Sequence, residues 1–144
     1  MSPGTMKLQV FSPGTVRVAY SLSNSVPSWA NSFSVIAPPV NGTWPLTVTA
    51  TNVQLDTGVL KVRVDRATGA VGFYDSNGSL LLAETADGKS LTPTTAGGVA
   101  TLQSQQQFLM SPGEAIYGLG QHQSGVMNYV NSTVHLQQKN PGED

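Results

Sequence analysis

Val59-Leu60-Lys61-Val62-Arg63-Val64-Asp65, then Ala70-Val71-Gly72-Phe73-Tyr74-Asp75, then Ser79-Leu80-Leu81-Leu82-Ala83-Glu84 form one run broken by two turn signatures. In the first piece Leu60, Val62 and Val64 alternate with Lys61, Arg63 and Asp65. Alternation of apolar and polar residues is the mark of a half-buried strand, because successive side chains point to opposite faces. The breaks are Arg66-Ala67-Thr68-Gly69 and Asp75-Ser76-Asn77-Gly78, which read as hairpin connections. The run therefore predicts a three-stranded meander over 59–65, 70–75 and 79–84.

The same period extends upstream. Val16-Arg17-Val18-Ala19-Tyr20-Ser21-Leu22 places its apolar residues at even positions. Ser12-Pro13-Gly14 before it suits a type II turn, with Gly14 at positive φ. Ser2-Pro3-Gly4-Thr5 repeats Ser12-Pro13-Gly14-Thr15, which reads as reused turn chemistry rather than a repeat fold. Leu46, Val48, Ala50, Val53 and Leu55 predict one strand with a bulge near Thr51 or Asn52. Residues 23–31 and 87–98 read as loops. No window carries helical periodicity with caps. The expected class is all-β, an antiparallel β-sandwich with few or no helices, formed as a single domain over 1–144.

Composition narrows the functions. The 144 residues are 39% hydrophobic and 10% charged, with a net charge of −1. Without a basic patch, nucleic acid is not an expected partner. No apolar run is long enough to cross a membrane as a helix. There is no cysteine, which removes disulfide frameworks and cysteine-based metal sites. Residues 1–10 lack the charged start and apolar core of a signal peptide. Three N-glycosylation sequons, at Asn41, Asn77 and Asn131, are ascribed to chance in a chain rich in Asn, Ser and Thr.

The densest polar chemistry lies late, in Ile116-Tyr117-Gly118-Leu119-Gly120-Gln121-His122-Gln123-Ser124-Gly125 and Asn128-Tyr129. Glycines, amides and one imidazole supply neutral donors and acceptors, which suit a neutral polyhydroxyl ligand better than a phosphate or acid. His122 and His135 are the two histidines, without cysteine or carboxylate at ligand spacing, so no metal and no cofactor is expected. His135 reads as a solvent-facing strand residue between Val134 and Leu136. Glycoside hydrolysis needs two carboxyl groups flanking one bond. Asp65 and Asp75 sit at strand–turn junctions, Glu84 ends a strand, Asp87 lies in a loop and Glu114 follows Pro112-Gly113. All of them read as structural, so no catalytic residue is assigned. Trp29 and Trp44 are either core residues or sugar-stacking platforms.

Phe108, Glu114 to Gly125, Asn128-Tyr129 and Val134-His135-Leu136-Gln137-Gln138-Lys139-Asn140 together resemble the N-terminal domain of glycoside hydrolase family 31, in its bacterial α-xylosidase or α-glucosidase form. Phe11 to Val18 and the meander from Asp56 to Leu81 resemble it as well. The chain departs from the family pattern at Val130-Asn131, where a glycine-containing turn is expected, and after Asn140. The resemblance implies a galactose-mutarotase-like sandwich, attached in family members to a catalytic (β/α)8 barrel that holds both catalytic aspartates. It thus implies an N-terminal fragment lacking the barrel, not active alone, with the barrel and an α-linked oligosaccharide or glycoside as partners. A periplasmic or secreted parent enzyme is compatible with it. By the same resemblance, the segment after the Tyr-Gly-Leu-Gly block reaches the aglycone side of the active site. Gln121, His122, Asn128, Gln138 and Asn140 are the expected substrate-binding residues. The alternatives are a stand-alone carbohydrate-binding module using Trp29, Trp44 and the glycine–amide block, and a sandwich with no ligand.

Overall fold

The computed structural model describes residues 4–26, 28, 34–119 and 125–135. It divides into two compact units, Met1–Leu109 and Met110–Asp144. Among the described residues every regular element is a strand. The first unit holds all eight: β1 (Thr5–Ser12), β2 (Thr15–Ser21), β3 (Leu46–Val48), β4 (Asn52–Asp56), β5 (Leu60–Asp65), β6 (Val71–Asp75), β7 (Leu80–Ala96) and β8 (Val99–Phe108). β1 and β2 form a two-stranded sheet, and β3 to β8 form a six-stranded sheet in sequence order. Every pairing is antiparallel.

The alternation read from the sequence decides which face meets the core. In β1 and β2, Met6 stands opposite Tyr20, Leu8 opposite Val18 and Val10 opposite Val16. In the larger sheet Leu55 pairs with Val62, and Val64 with Val71. Val10, Leu55, Val62 and Val71 form the buried cluster, and residues of both sheets pack against it. Two sheets packed face to face over interdigitated side chains are a sandwich. Trp44 also packs on this cluster, which selects the core reading of that residue. The opposite face of β4–β6 is polar. Arg63 donates from Nη2 to Gln54 Oε1 at 2.9 Å and lies 4.6 Å from the Tyr74 ring centroid.

The predicted meander is present, joined by hairpins at both expected turns. At the first, Asp65 N–H bonds Ala70 O at 2.9 Å. At the second, Asp75 N–H bonds Ser79 O at 2.9 Å. Four local expectations need correction. Residues 46–55 are two strands rather than one bulged strand. Thr49 accepts the Thr51 and Asn52 N–H groups on Oγ1, closing a hairpin there. Ser12-Pro13-Gly14 is a hairpin, but Gly14 does not take positive φ, so the turn is not type II. A register shift between Val10 and Ser12 absorbs the strand twist instead.

The third correction is larger. Residues 87–96 belong to a strand, and Ala96 pairs with Val99 across a Gly97-Gly98 turn. Both glycines have positive φ, +56° and +79°, the geometry of a two-residue type I′ hairpin. The sequence does not mark this strand, because residues from Thr92 to Ala96 are exposed on both faces and so carry no apolar alternation. The fourth follows from it: Glu84 lies inside β7 instead of ending a strand.

Candidate functional site

Within the second unit, backbone and side chain close a loop whose ends are residues 116 and 128. Ile116 N–H and Val130 N–H both donate to Asn128 Oδ1, each at 3.1 Å. Tyr129 N–H donates to Ile116 O at 2.9 Å. One amide oxygen thus satisfies two backbone donors, as an Asx-type turn does. Asn131 follows at φ +59°, where its short polar side chain tolerates the left-handed region. It supplies without glycine the backbone shape that the family pattern leads one to expect at this turn. Gly118 and Gly125, at +75° and +69°, bracket the polar block. Gln121, His122, Gln138 and Asn140, expected from the sequence to bind substrate, lie outside the described residues, as does Trp29. His135 is exposed but lies outside any strand.

Four carboxylates serve the backbone. Asp56 Oδ1 accepts Gly58 N–H at 2.7 Å. Asp65 Oδ1 accepts Thr68 N–H at 2.7 Å, Thr68 Oγ1 at 2.8 Å and Ala67 N–H at 3.0 Å. Donation from the Thr68 backbone, then from its hydroxyl, holds the Asp65 carboxyl below the usual carboxylate range. Asp75 is lowered in the same direction, chiefly by Ser79 N–H. Glu114 Oε2 accepts Ser111 N–H at 2.6 Å.

The fifth, Glu84, is the center of a buried network that the sequence did not announce. Its Oε2 accepts Val71 N–H at 2.9 Å and Lys89 Nζ at 2.8 Å. Gln106 Nε2 donates to Oε1 at 2.5 Å. The Lys89 and Glu84 side chains are only 9% and 6% exposed. The network bridges an irregularity in the ladder, where β7 uses residues 85–88 to pass residue 107 of β8. Asp87 takes φ +56° there, and Gly88 sits where a Cβ would strike Thr85 and Gln107. Glu84 and Lys89 meet across the bulge of one strand and Gln106 joins them from β8, so no local pattern marks the three.

Glu84, Lys89 and Gln106 also line an open cleft of about 380 Å³ with Val16, Val18, Tyr20, Phe73, Leu82 and Phe108. Glu84 is its single carboxylate. A smaller hollow of about 220 Å³ has Asp65 and Glu84 in its lining, both already committed to the bonds above. Hydrolysis requires two carboxyl groups flanking one sugar bond; the cleft has one, and both of those in the hollow already accept backbone N–H groups. Among the described residues no group of three His, Cys, Asp or Glu could hold a metal ion.

Comparison with known proteins agrees with this geometry. Residues 5–139 match the family described as the glycosyl hydrolase 31 N-terminal galactose mutarotase-like domain. The crystal structure of a family 31 α-xylosidase from Xanthomonas citri superposes with a TM-score of 0.76 at 36% identity. The match covers 94% of this chain and 15% of that enzyme, so the chain spans a small part of its structural relative. Two antiparallel sheets, the meander at 60–84 and a match reaching from β1 past the polar block lead to one assignment: the chain belongs to the glycosyl hydrolase 31 N-terminal galactose mutarotase-like domain family.

Proposed function

We propose that this chain is the non-catalytic N-terminal domain of a retaining α-glycosidase of the α-xylosidase type. In this reading it forms one domain that packs on a (β/α)8 barrel and helps bind an α-linked glycoside. The observation that carries it is the family match over residues 5–139, joined to 36% identity with an α-xylosidase. The chemistry is consistent: five of the chain's carboxylates are bound into turns or the Glu84–Lys89 pair, which leaves them poorly placed for proton transfer. Gln121, His122, Gln138 and Asn140 would contribute neutral hydrogen bonds to sugar hydroxyls. Asn128 would do so only through its amide NH2, since Oδ1 serves the backbone.

The test has two parts. The isolated chain is incubated with aryl α-xyloside and α-glucoside, and no turnover is expected. Turnover abolished by Glu84→Gln or Asp65→Asn would overturn the reading. In the parent enzyme, His122→Ala and Gln138→Ala should raise KM for the glycoside, with circular dichroism unchanged. Calorimetric titration of the isolated chain with xylo- and gluco-oligosaccharides separates the rival: saturable binding without a barrel would identify a stand-alone module.

A further inference from the structure

The polar face of β4–β6 carries bonding groups that the turns and the Glu84 network leave unused. Strand pairing gathers them. Asn52 stands opposite Asp65, while Gln54, Arg63, Gly72 and Ala83 follow one another across four strands. Asn52, Arg63, Asp65 and Tyr74 line the hollow of about 220 Å³ at this junction. Ala70, Gly72 and Ala83 add apolar surface with little bulk. Gly72 gives the hollow its shape: a Cβ there would stand 3.0 Å from Tyr74 Cε2 and 3.1 Å from the Tyr74 hydroxyl oxygen. Glycine thus lets the ring lie close across the strand, with the Arg63 guanidinium 4.6 Å from its centroid.

Asp65 takes its three turn bonds on Oδ1, and among the described residues Oδ2 accepts none. Arg63 gives Nε and Nη2 to Gln54, which leaves Nη1. The Tyr74 hydroxyl and Asn52 Oδ1 make no bond among the described residues. Glu84, also in the lining, is neutralized by Lys89 at 2.8 Å. We propose that this hollow binds one ring of a neutral saccharide. Vicinal sugar hydroxyls offer donors and acceptors at adjacent carbons. Arg63 and Asp65, two apart on one strand face, offer the matching donor and acceptor. The C–H face of the ring meets Ala70, Gly72 and Ala83. Pockets for drug-sized ligands hold about 300–1,000 Å³, so this smaller hollow suits a single ring. A ligand of either net charge would meet a like charge, at Asp65 or at Arg63. No residue of the polar block takes part, so the hollow binds sugar under either reading of the preceding section.

The experiment uses the chain's four tyrosines, Tyr20, Tyr74, Tyr117 and Tyr129, as reporters. Biosynthetic 3-fluorotyrosine gives each a fluorine NMR signal, assigned by single substitutions such as Tyr74→Phe. Addition of D-xylose or D-glucose should shift the Tyr74 signal saturably, with a dissociation constant of about 1 mM or weaker, as befits one ring. Ala83→Leu fills the hollow and should abolish the shift. Asn52→Ala removes one acceptor and should weaken binding roughly threefold to tenfold. Glycine, a zwitterion that also satisfies opposite charges, should leave Tyr74 unmoved. An absent Tyr74 shift, an equal shift with glycine, or full binding in both variants would overturn the proposal. Shifts confined to Tyr117 and Tyr129 would overturn it as well. They would place the sugar at the polar block and identify the stand-alone module, so each reading fails at its own signals.

Discussion

The β4–β6 half of the large sheet and the β7–β8 hairpin share one ladder but are held in different ways. In β4–β6, Leu55, Val62 and Val71 are buried under β1 and β2. In β8 all ten residues are exposed. Between Lys89 and Glu114 the sequence has no charge. From Lys89 to Ala96, roughly 25 Å of β7 at strand rise pairs with β8. A hydrogen-bonded ladder is therefore enough to shape a hairpin, but burial supplies most of the free energy. The difference assigns the two halves different work: one fixes the fold, and the other is positioned by it. The Glu84–Lys89–Gln106 network sits at their boundary.

That boundary is where the comparison can be broken most strongly. Glu84→Ala leaves Lys89 buried without its carboxylate and should cost about 3 kcal/mol, read from urea denaturation. Replacing both partners, as Glu84→Leu with Lys89→Met, should recover most of that loss. A double variant as unstable as the single one would mean that the network matters through Gln106 and Val71 more than through the charge pair. Next in size, Val62→Ala removes two methyl groups from a fully buried side chain and should cost about 2 kcal/mol. Leu102→Ala in β8, 48% exposed, should cost less than about 0.5 kcal/mol by the same measurement. Comparable losses at the two sites would erase the distinction between packed sheet and projecting hairpin.

Smaller again is Gly98→Ala. A Cβ there meets no atom within 4 Å, so the cost is the backbone strain of φ +79° alone, about 1 kcal/mol. The loss should be local. Amides of β8 should exchange faster while those of β5 remain unchanged. Acceleration in both would show that the hairpin folds as one unit with the core.

The sequence made the packed half legible because burial writes a period. Leu60, Val62 and Val64 alternate, and Asp65 and Asp75 fall where turns need a side-chain acceptor. The hairpin was hidden for the converse reason. With both faces in solvent, Thr92 to Ala96 have no apolar stripe, and Gly97-Gly98 was the one local sign of a turn. Residues 46–55 misled because alternation runs through a tight hairpin as smoothly as through a bulge. The polar block was legible in another sense: its order pointed to a family. Chemistry alone did not reveal that Asn128 spends its oxygen on Ile116 and Val130, since an amide reads the same whether it faces ligand or backbone. Glu84 carries no such mark, because its partners are Lys89 beyond the bulge of its own strand, the Val71 backbone on β6 and Gln106 on β8.

Acid offers the finest test of the two halves. The turns at Asp65 and Asp75 in the packed half depend on ionized carboxylates, while the Gly97-Gly98 turn of the hairpin contains no titratable group. Folding lowers the Asp65 pKa, mainly through donation by Thr68, so the native state favors the charged form. The resulting stability is complete above the unfolded-state value, near pH 4, and is lost as pH falls through the lower folded value. Denaturation midpoints should therefore decline below about pH 4, and Asp65→Asn should make that decline shallower. Because Asp75 remains in the variant, part of the slope should persist, and Asp65→Asn with Asp75→Asn should flatten it further. Identical slopes in all three proteins would show that acid acts elsewhere than at these two turns.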